Sequence, residues 1–182
     1  MAATNHAQEL KNDSKLFITE ALLQLLSNAP FSSITVSQVC ARAGVSRMAF
    51  YRNFSDLDQV LYEYYKANIS LVFDAVHYET QEDAKYDAQL KFFNSFNSLL
   101  LLSFERGYEA IIQRIFVEEI EKFYAACNDG YWTTFMSAGA YAVWRKWLLE
   151  GQEKPLEEMV GFFKKLVAMG GELGGNAGTD GR

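Results

Sequence analysis

Residues Ile34 to Phe54 read ITVSQVCARAGVSRMAFYRNF. Two short segments flank Ala43-Gly44-Val45-Ser46 in this stretch. Thr35 or Ser33 opens the first segment, a helix that turns Val36, Val39 and Cys40 inward. Gly44 supplies the left-handed conformation that ends it, and Ser46 caps the next helix, which runs to about Phe54. Two short helices joined by a glycine-containing turn make a helix-turn-helix geometry. The second helix presents Ser46, Arg47, Met48, Tyr51 and Arg52 outward, while Val45, Phe50 and Phe54 point back to the first. Hydroxyl and arginine groups near a helix N-terminus reach phosphate oxygens, helped by the free amides and the dipole. Arginine on the same helix reads a guanine edge. Spacing alone leaves a second reading open, because the pattern is degenerate: a loop glycine between two ordinary core helices.

Charge is distributed in a way that bears on the choice. The chain of 182 residues has a net charge of −6, which by itself argues against a nucleic-acid partner. From Pro30 to Phe54, however, there are three basic residues (Arg42, Arg47, Arg52) and no acid. A local basic face is what phosphate contact needs, and the whole-chain sum says little about it.

Around this stretch the pattern is helical throughout. Asp13 or Ser14 caps a first helix with Phe17, Ala21, Leu22, Leu25 and Leu26 as its apolar stripe, ended at Asn28-Ala29-Pro30. Ser55 or Asp56 caps a fourth helix carrying Leu57, Val60, Leu61 and Tyr64 on one face. Thr80 to Asp87 reads as a polar gap. Leu90 to Phe104 is apolar, Arg106-Gly107 interrupts it, and a further helix reaches about Cys127. Asn128-Asp129-Gly130 is a turn signal. Tyr131 to Glu150 is apolar nearly all round, Gly151 closes it, and Pro155 suits the first turn of a last helix ending near Met169. Beyond it six of thirteen residues are glycine, which reads as a flexible tail over 170–182.

Composition excludes several classes. Hydrophobic residues are 49% and charged residues 22%, the balance of a globular chain. Cys40 and Cys127 are far apart, so no disulfide framework or CxxC knuckle is present. His6 and His77 stand alone, which argues against a metal site or a His-dependent triad. The sequence carries no catalytic set, no nucleotide loop and no cofactor motif, so an enzyme is not expected. Both cysteines read as buried hydrophobes. No apolar run is long enough to span a membrane, and the polar N-terminus lacks a signal-peptide core, so a soluble cytoplasmic protein is expected.

The stretch resembles the TetR family of transcriptional regulators, whose helix-turn-helix follows a pattern like T-v-x-x-I-a-x-x-A-G-V-S-x-x-x-x-Y-x-x-F. Thr35, Val39, Cys40, Ala43, Gly44, Val45, Ser46, Phe50, Tyr51 and Phe54 occupy its places. The resemblance covers residues 10 to 65 and extends beyond them only as architecture. It implies an all-α fold: a DNA-binding domain over 10–56, with the motif at 35–54, and a helical effector-binding and dimerisation domain over 57–169. It implies DNA contacts from Thr35, Val36 and Ser37, and from Ser46, Arg47, Met48, Ala49, Tyr51, Arg52 and Asn53, with Tyr51 on a phosphate. One departure is evident. Leu57 stands where the family often has a backbone-binding lysine, and Asp56 and Asp58 flank it. Weaker non-specific affinity, or a compensating contact from Lys11 and Lys15, is expected.

The resemblance also implies an effector pocket and a two-helix dimer surface. Phe73, Tyr78, Phe92, Phe96, Tyr108, Ile112, Phe116 and Phe135 are the candidate lining residues, with Tyr78 or Gln113 as polar anchors. Gly139, Val143, Trp147, Met159, Phe162, Phe163 and Leu166 are the candidate dimer residues. A central helix buried in a monomer fits the same apolar pattern. The run Ala142 to Gly151 with Pro155 to Met159 is similar to regulators associated with dihydroxyacetone kinase operons. The function implied is a homodimeric repressor on double-stranded operator DNA, released by a small apolar or aromatic effector. The alternative is a helical dimeric interaction module, or an activator whose DNA binding depends on a protein co-regulator.

Overall fold

The computed structural model describes residues 2–78, 82–124 and 130–175. Every long regular element among them is an α-helix: α1 (Ala2–Leu26), α2 (Val36–Ala43), α3 (Arg47–Asn53), α4 (Leu57–Tyr78), α5 (Glu82–Arg106), α6 (Glu109–Tyr124), α7 (Gly130–Leu149) and α8 (Leu156–Gly175). A 3-10 turn, Phe31–Ser33, precedes α2. No helix among the described residues is long and apolar enough to cross a membrane.

The caps explain where the short helices begin and end. Thr35 caps α2 through a reciprocal box with Gln38: the Gln38 N–H donates to Thr35 Oγ1 at 3.3 Å, and the Thr35 N–H donates to Gln38 Oε1 at 2.8 Å. Two of the orphan amides of the helix start are thereby satisfied. Gly44 ends α2 at φ 67°, a conformation that costs an L-residue about 1–2 kcal/mol and glycine nothing. Ser46 Oγ accepts from the Ala49 N–H at 3.1 Å and starts α3. Asp56 Oδ1 accepts from the Gln59 N–H at 2.8 Å and starts α4.

Several boundaries differ from the sequence expectation. α1 begins at Ala2, not at Asp13 or Ser14, because nothing in the polar arm breaks a helix. Its buried stripe is Ile18, Ala21, Leu22 and Leu26; Phe17, expected inside, is exposed, and Leu25 is half-buried. The polar stretch after Thr80 is helical from Glu82 onward: Glu, Ala, Lys and Gln are good helix formers, so polarity there does not mean a loop. α8 continues through Gly170, Gly171 and Gly174 to Gly175, past the expected end at Met169. Thr80, Cys127, the Asn128-Asp129 turn and residues 176–182 lie outside the described residues.

The chain divides into two compact units. The first comprises residues up to Ala67 together with Ser103–Ile112, so it is wider than the expected 10–56 and includes the α5–α6 corner. Here α1, α2 and α3 pack on one another, and Ile18, Leu22, Val39, Phe50, Val60 and Leu61 are fully buried. Leu57 is buried with them, which accounts for an apolar residue at a position where the family often has lysine. Cys40 is also buried, and burial raises its thiol pKa although the nearby Arg47 charge acts the other way.

The second unit comprises Asn68–Leu102 and the chain from Gln113 onward. Phe116 is at its centre, with ring centroids of Phe73, Phe96, Tyr141 and Trp144 at 5.9, 5.4, 6.1 and 5.0 Å. The Trp144 indole N–H donates to Asn97 Oδ1 at 3.0 Å, and the Ser70 hydroxyl donates to the buried Glu119 carboxylate at 2.9 Å.

An added Cβ at Gly44 would meet nothing within 4 Å, so substitution there tests backbone conformation alone. Gly44→Ala is expected to lower unfolding free energy by about 1–2 kcal/mol, and Gly44→Asn by less, because asparagine tolerates the left-handed region. Urea denaturation followed by circular dichroism measures both.

Candidate nucleic-acid interface

The interface is built on a helix too short to be stable alone, so its surroundings position it. α3 buries Phe50 completely and is closed at its C-cap by Phe54, whose N–H donates to Phe50 O at 2.9 Å. With Phe50 facing inward, helical periodicity turns Arg47, Met48, Tyr51 and Arg52 to solvent. Met48 is 66% and Tyr51 52% exposed, and both arginines are exposed. The Tyr51 ring sits edge-on to Phe50 at 5.4 Å, which orients its body while the hydroxyl end stays accessible. Arg52 Nη2 lies 3.3 Å from Met48 Sδ on the next turn.

These four side chains are brought together on one face, in agreement with their spacing. Ser46, at the head of the same helix, is exposed with its hydroxyl in the cap. At the α2 start Thr35 and Ser37 are exposed and Val36 is half-buried; the Thr35 hydroxyl is committed to the box with Gln38. Ala49 and Asn53 are half-buried on the flank. Asn53 Nδ2 donates back to Ala49 O at 2.8 Å, and its Oδ1 is buried with no partner, so this side chain is folded onto its own helix.

The third positive charge of the acid-free stretch is anchored: Arg42 Nε donates to Gln24 Oε1 of α1 at 2.7 Å. The Asp56 carboxylate is occupied by its cap and by the Ser55 hydroxyl at 2.9 Å, whereas Asp58 is exposed. Arg47 and Arg52 therefore dominate the charge of the α3 face.

Residues 18–64 match the family model of bacterial regulatory proteins, tetR family. This segment is thus similar to the DNA-binding domain of the TetR family. The match supports a DNA-binding transcriptional regulator, and the matched residues run from within α1, through the helix-turn-helix, into α4. No curated protein shows significant similarity to the chain. The matched segment ends before Ala142 to Met159, so the dihydroxyacetone-kinase-operon resemblance gains nothing from it.

The remaining candidates are scattered more than the sequence suggests. Of the pocket set, Phe73, Phe96 and Phe116 belong to the aromatic cluster of the second unit, together with Tyr141 and Trp144, which no local signal marks as their neighbours. Tyr108 and Ile112 are buried in the first unit. Phe135 is 59% exposed. The side chains of Tyr78 and Phe92 lie outside the described residues. Of the dimer set, Trp147 and Met159 are buried within the chain itself, the Trp147 indole donating to Lys154 O at 2.8 Å. Phe163 is half-buried and stacks on Phe93 with centroids 5.7 Å apart; Gly139, Val143 and Leu166 are half-buried, and Phe162 is exposed. No group of three or more His, Cys, Asp or Glu that could hold a metal occurs among the described residues.

Arg47→Ala is expected to weaken DNA binding by about 1–3 kcal/mol, and Tyr51→Phe by less, with thermal melting left within about 0.5 kcal/mol of wild type. Phe50→Ala is expected to do the reverse first, losing about 3–5 kcal/mol of stability. Binding isotherms and melts on the same preparations separate the two classes.

Proposed function

We propose that this TetR-family chain is a homodimeric repressor that acts on operator DNA in the cytoplasm and is released by a small apolar or aromatic effector. The observation that carries the DNA side is the α3 face, where Arg47, Met48, Tyr51 and Arg52 stand together in a stretch without acids. A dimer places two such helices in successive major grooves of a pseudo-palindromic site.

Support for the dimer comes from α7. Tyr131 (93% exposed), Phe135, Ala138, Ala142 and Leu149 are all exposed, at steps of four, three, four and seven residues. Such spacing is a helix–helix seam. On the opposite side of α7, Ser137, Tyr141, Trp144 and Leu148 are buried in the chain's own core. A second copy covers the outer stripe by twofold symmetry, and exposed Phe162 of α8 adds to it. This seam differs from the set expected from sequence, because Trp147 and Met159 are already buried in the chain.

The effector reading rests on the cluster around Phe116. It combines packed aromatic rings with a polar pair, the Trp144 indole on Asn97, and apolar walls with a few polar groups are what a small apolar or aromatic ligand needs. An effector shifts the DNA-competent population only by its differential affinity for the two states.

Selection of bound sequences from a random duplex library, at near-physiological salt, tests the proposal. The expected result is an enriched palindrome whose half-sites lie about one helical turn apart or slightly more. A folded dimer that enriches nothing would instead favour an interaction module, or DNA binding that depends on a co-regulator. Phe135→Glu is expected to weaken the dimer about tenfold or more in sedimentation equilibrium, while Trp147→Ala acts on the stability of the chain.

A further inference from the structure

Where α3 ends, two neighbouring residues are held by one carboxylate. On one side the Lys15 ammonium of α1 sits 5.0 Å from the centroid of the Phe54 ring and donates to Glu63 Oε2 at 2.7 Å. On the other, the Ser55 N–H donates to Gln59 Oε1 at 2.6 Å, and Gln59 Nε2 donates to Glu63 Oε1 at 2.9 Å. Both Glu63 oxygens are occupied, and the network ties α1 and α4 to the C-cap of the recognition helix. Lys15 and Glu63 are each only partly exposed, so water screens their attraction less than at an open surface.

We infer that Lys15 and Glu63 are positioning residues for operator recognition: they set the angle at which α3 meets the major groove. Lys15 is then not the phosphate contact that its charge and place in the N-terminal arm suggest. Its ammonium faces an aromatic ring and a carboxylate, and the pair it forms adds no net positive charge to the unit. Phe54 is buried, so its ring is a fixed point against which the cation locates α1. A short helix gripped at its C-terminal end keeps the register of Arg47, Met48, Tyr51 and Arg52 even though those side chains touch little else.

The inference rests on the DNA-binding role and is tested on the full-length protein with its selected operator and a scrambled duplex. Lys15→Met and Glu63→Gln are each expected to weaken operator binding about threefold to tenfold, the size of a partly shielded pair with a cation–π contact. Scrambled-duplex affinity and the slope of log K against log salt stay as in wild type. Lys15→Arg restores operator affinity, and the double variant is no weaker than either single one, because the two act as a unit. The Glu63 arm discriminates sharply: loss of a negative charge strengthens DNA binding if charge alone matters, and weakens it if position matters. A tighter Glu63→Gln complex, or a salt slope smaller by about 0.9 in Lys15→Met, would make Lys15 a phosphate contact and overturn the inference. Operator and scrambled affinities that fall together with the melting temperature would leave a purely structural pair and overturn it as well. Wild type that binds no operator refutes the regulator reading, and the positioning role with it.

Discussion

The DNA-binding unit depends on a stacked pair of tyrosines contributed by distant parts of the chain. Tyr65 of α4 and Tyr108 of the α5–α6 corner have ring centroids 5.8 Å apart at an interplanar angle of 11°, with hydroxyls 3.1 Å apart. Both are buried, and burial raises both phenol pKa values, Tyr65 far above its ordinary range. The hydroxyls remain protonated at physiological pH, so each can donate or accept without a charge being buried. Phe31 meets Tyr108 edge-on at 6.4 Å, and Arg106 Nη2 donates to Ser27 O at 3.0 Å. The corner thus holds the end of α1 and the 3-10 turn that leads into the α2 cap. Gly107, at φ 78°, lets the chain reverse there.

The helix after the turn is held by nearer contacts. α3 spans Arg47–Asn53 and cannot be stable in isolation. Its N-terminus is closed by Ser46, its interior is held by Phe50, and its C-terminus is gripped by the Lys15–Glu63 network. Little of this rigidity comes from the residues that face solvent, which leaves Arg47, Met48, Tyr51 and Arg52 available for recognition. The side chains that hold α3 in place and those proposed to read DNA fall on opposite faces of the same two-turn helix.

In the second unit the same division occurs on α7. Its inner side joins the aromatic cluster, and its outer side presents a second apolar stripe. A helix apolar on both sides belongs between two partners. Here the chain supplies one of them, and the proposed symmetric copy would supply the other.

How much of this is legible in the residues depends on the range of the physics. Caps and turns are local: Thr35 with Gln38, Gly44, Ser46 and Asp56 act within four residues, so the motif can be read from the residue order, and the exposed face of α3 follows from the helical period alone. Phe17 differs from its expected place because a stripe read at i, i+4 admits two neighbouring phases, and only packing against α2 and α3 selects Ile18. The helical stretch from Glu82 reads as a gap in the sequence because polarity resembles a loop when no tertiary contact is in view. Tyr108 and Ile112 resemble pocket residues because nothing local says that the α5–α6 corner belongs with the helix-turn-helix. Trp147 and Phe135 differ from their expected places for a related reason: on a helix apolar all round, the period does not say which face meets its own chain, and that is decided by the neighbours that reach it. Local hydrogen bonding and periodicity are therefore determined by the sequence itself, whereas the partition of apolar surface between core, second unit and partner is decided only by the tertiary structure, because burial is a property of what packs against a residue and not of the residue alone.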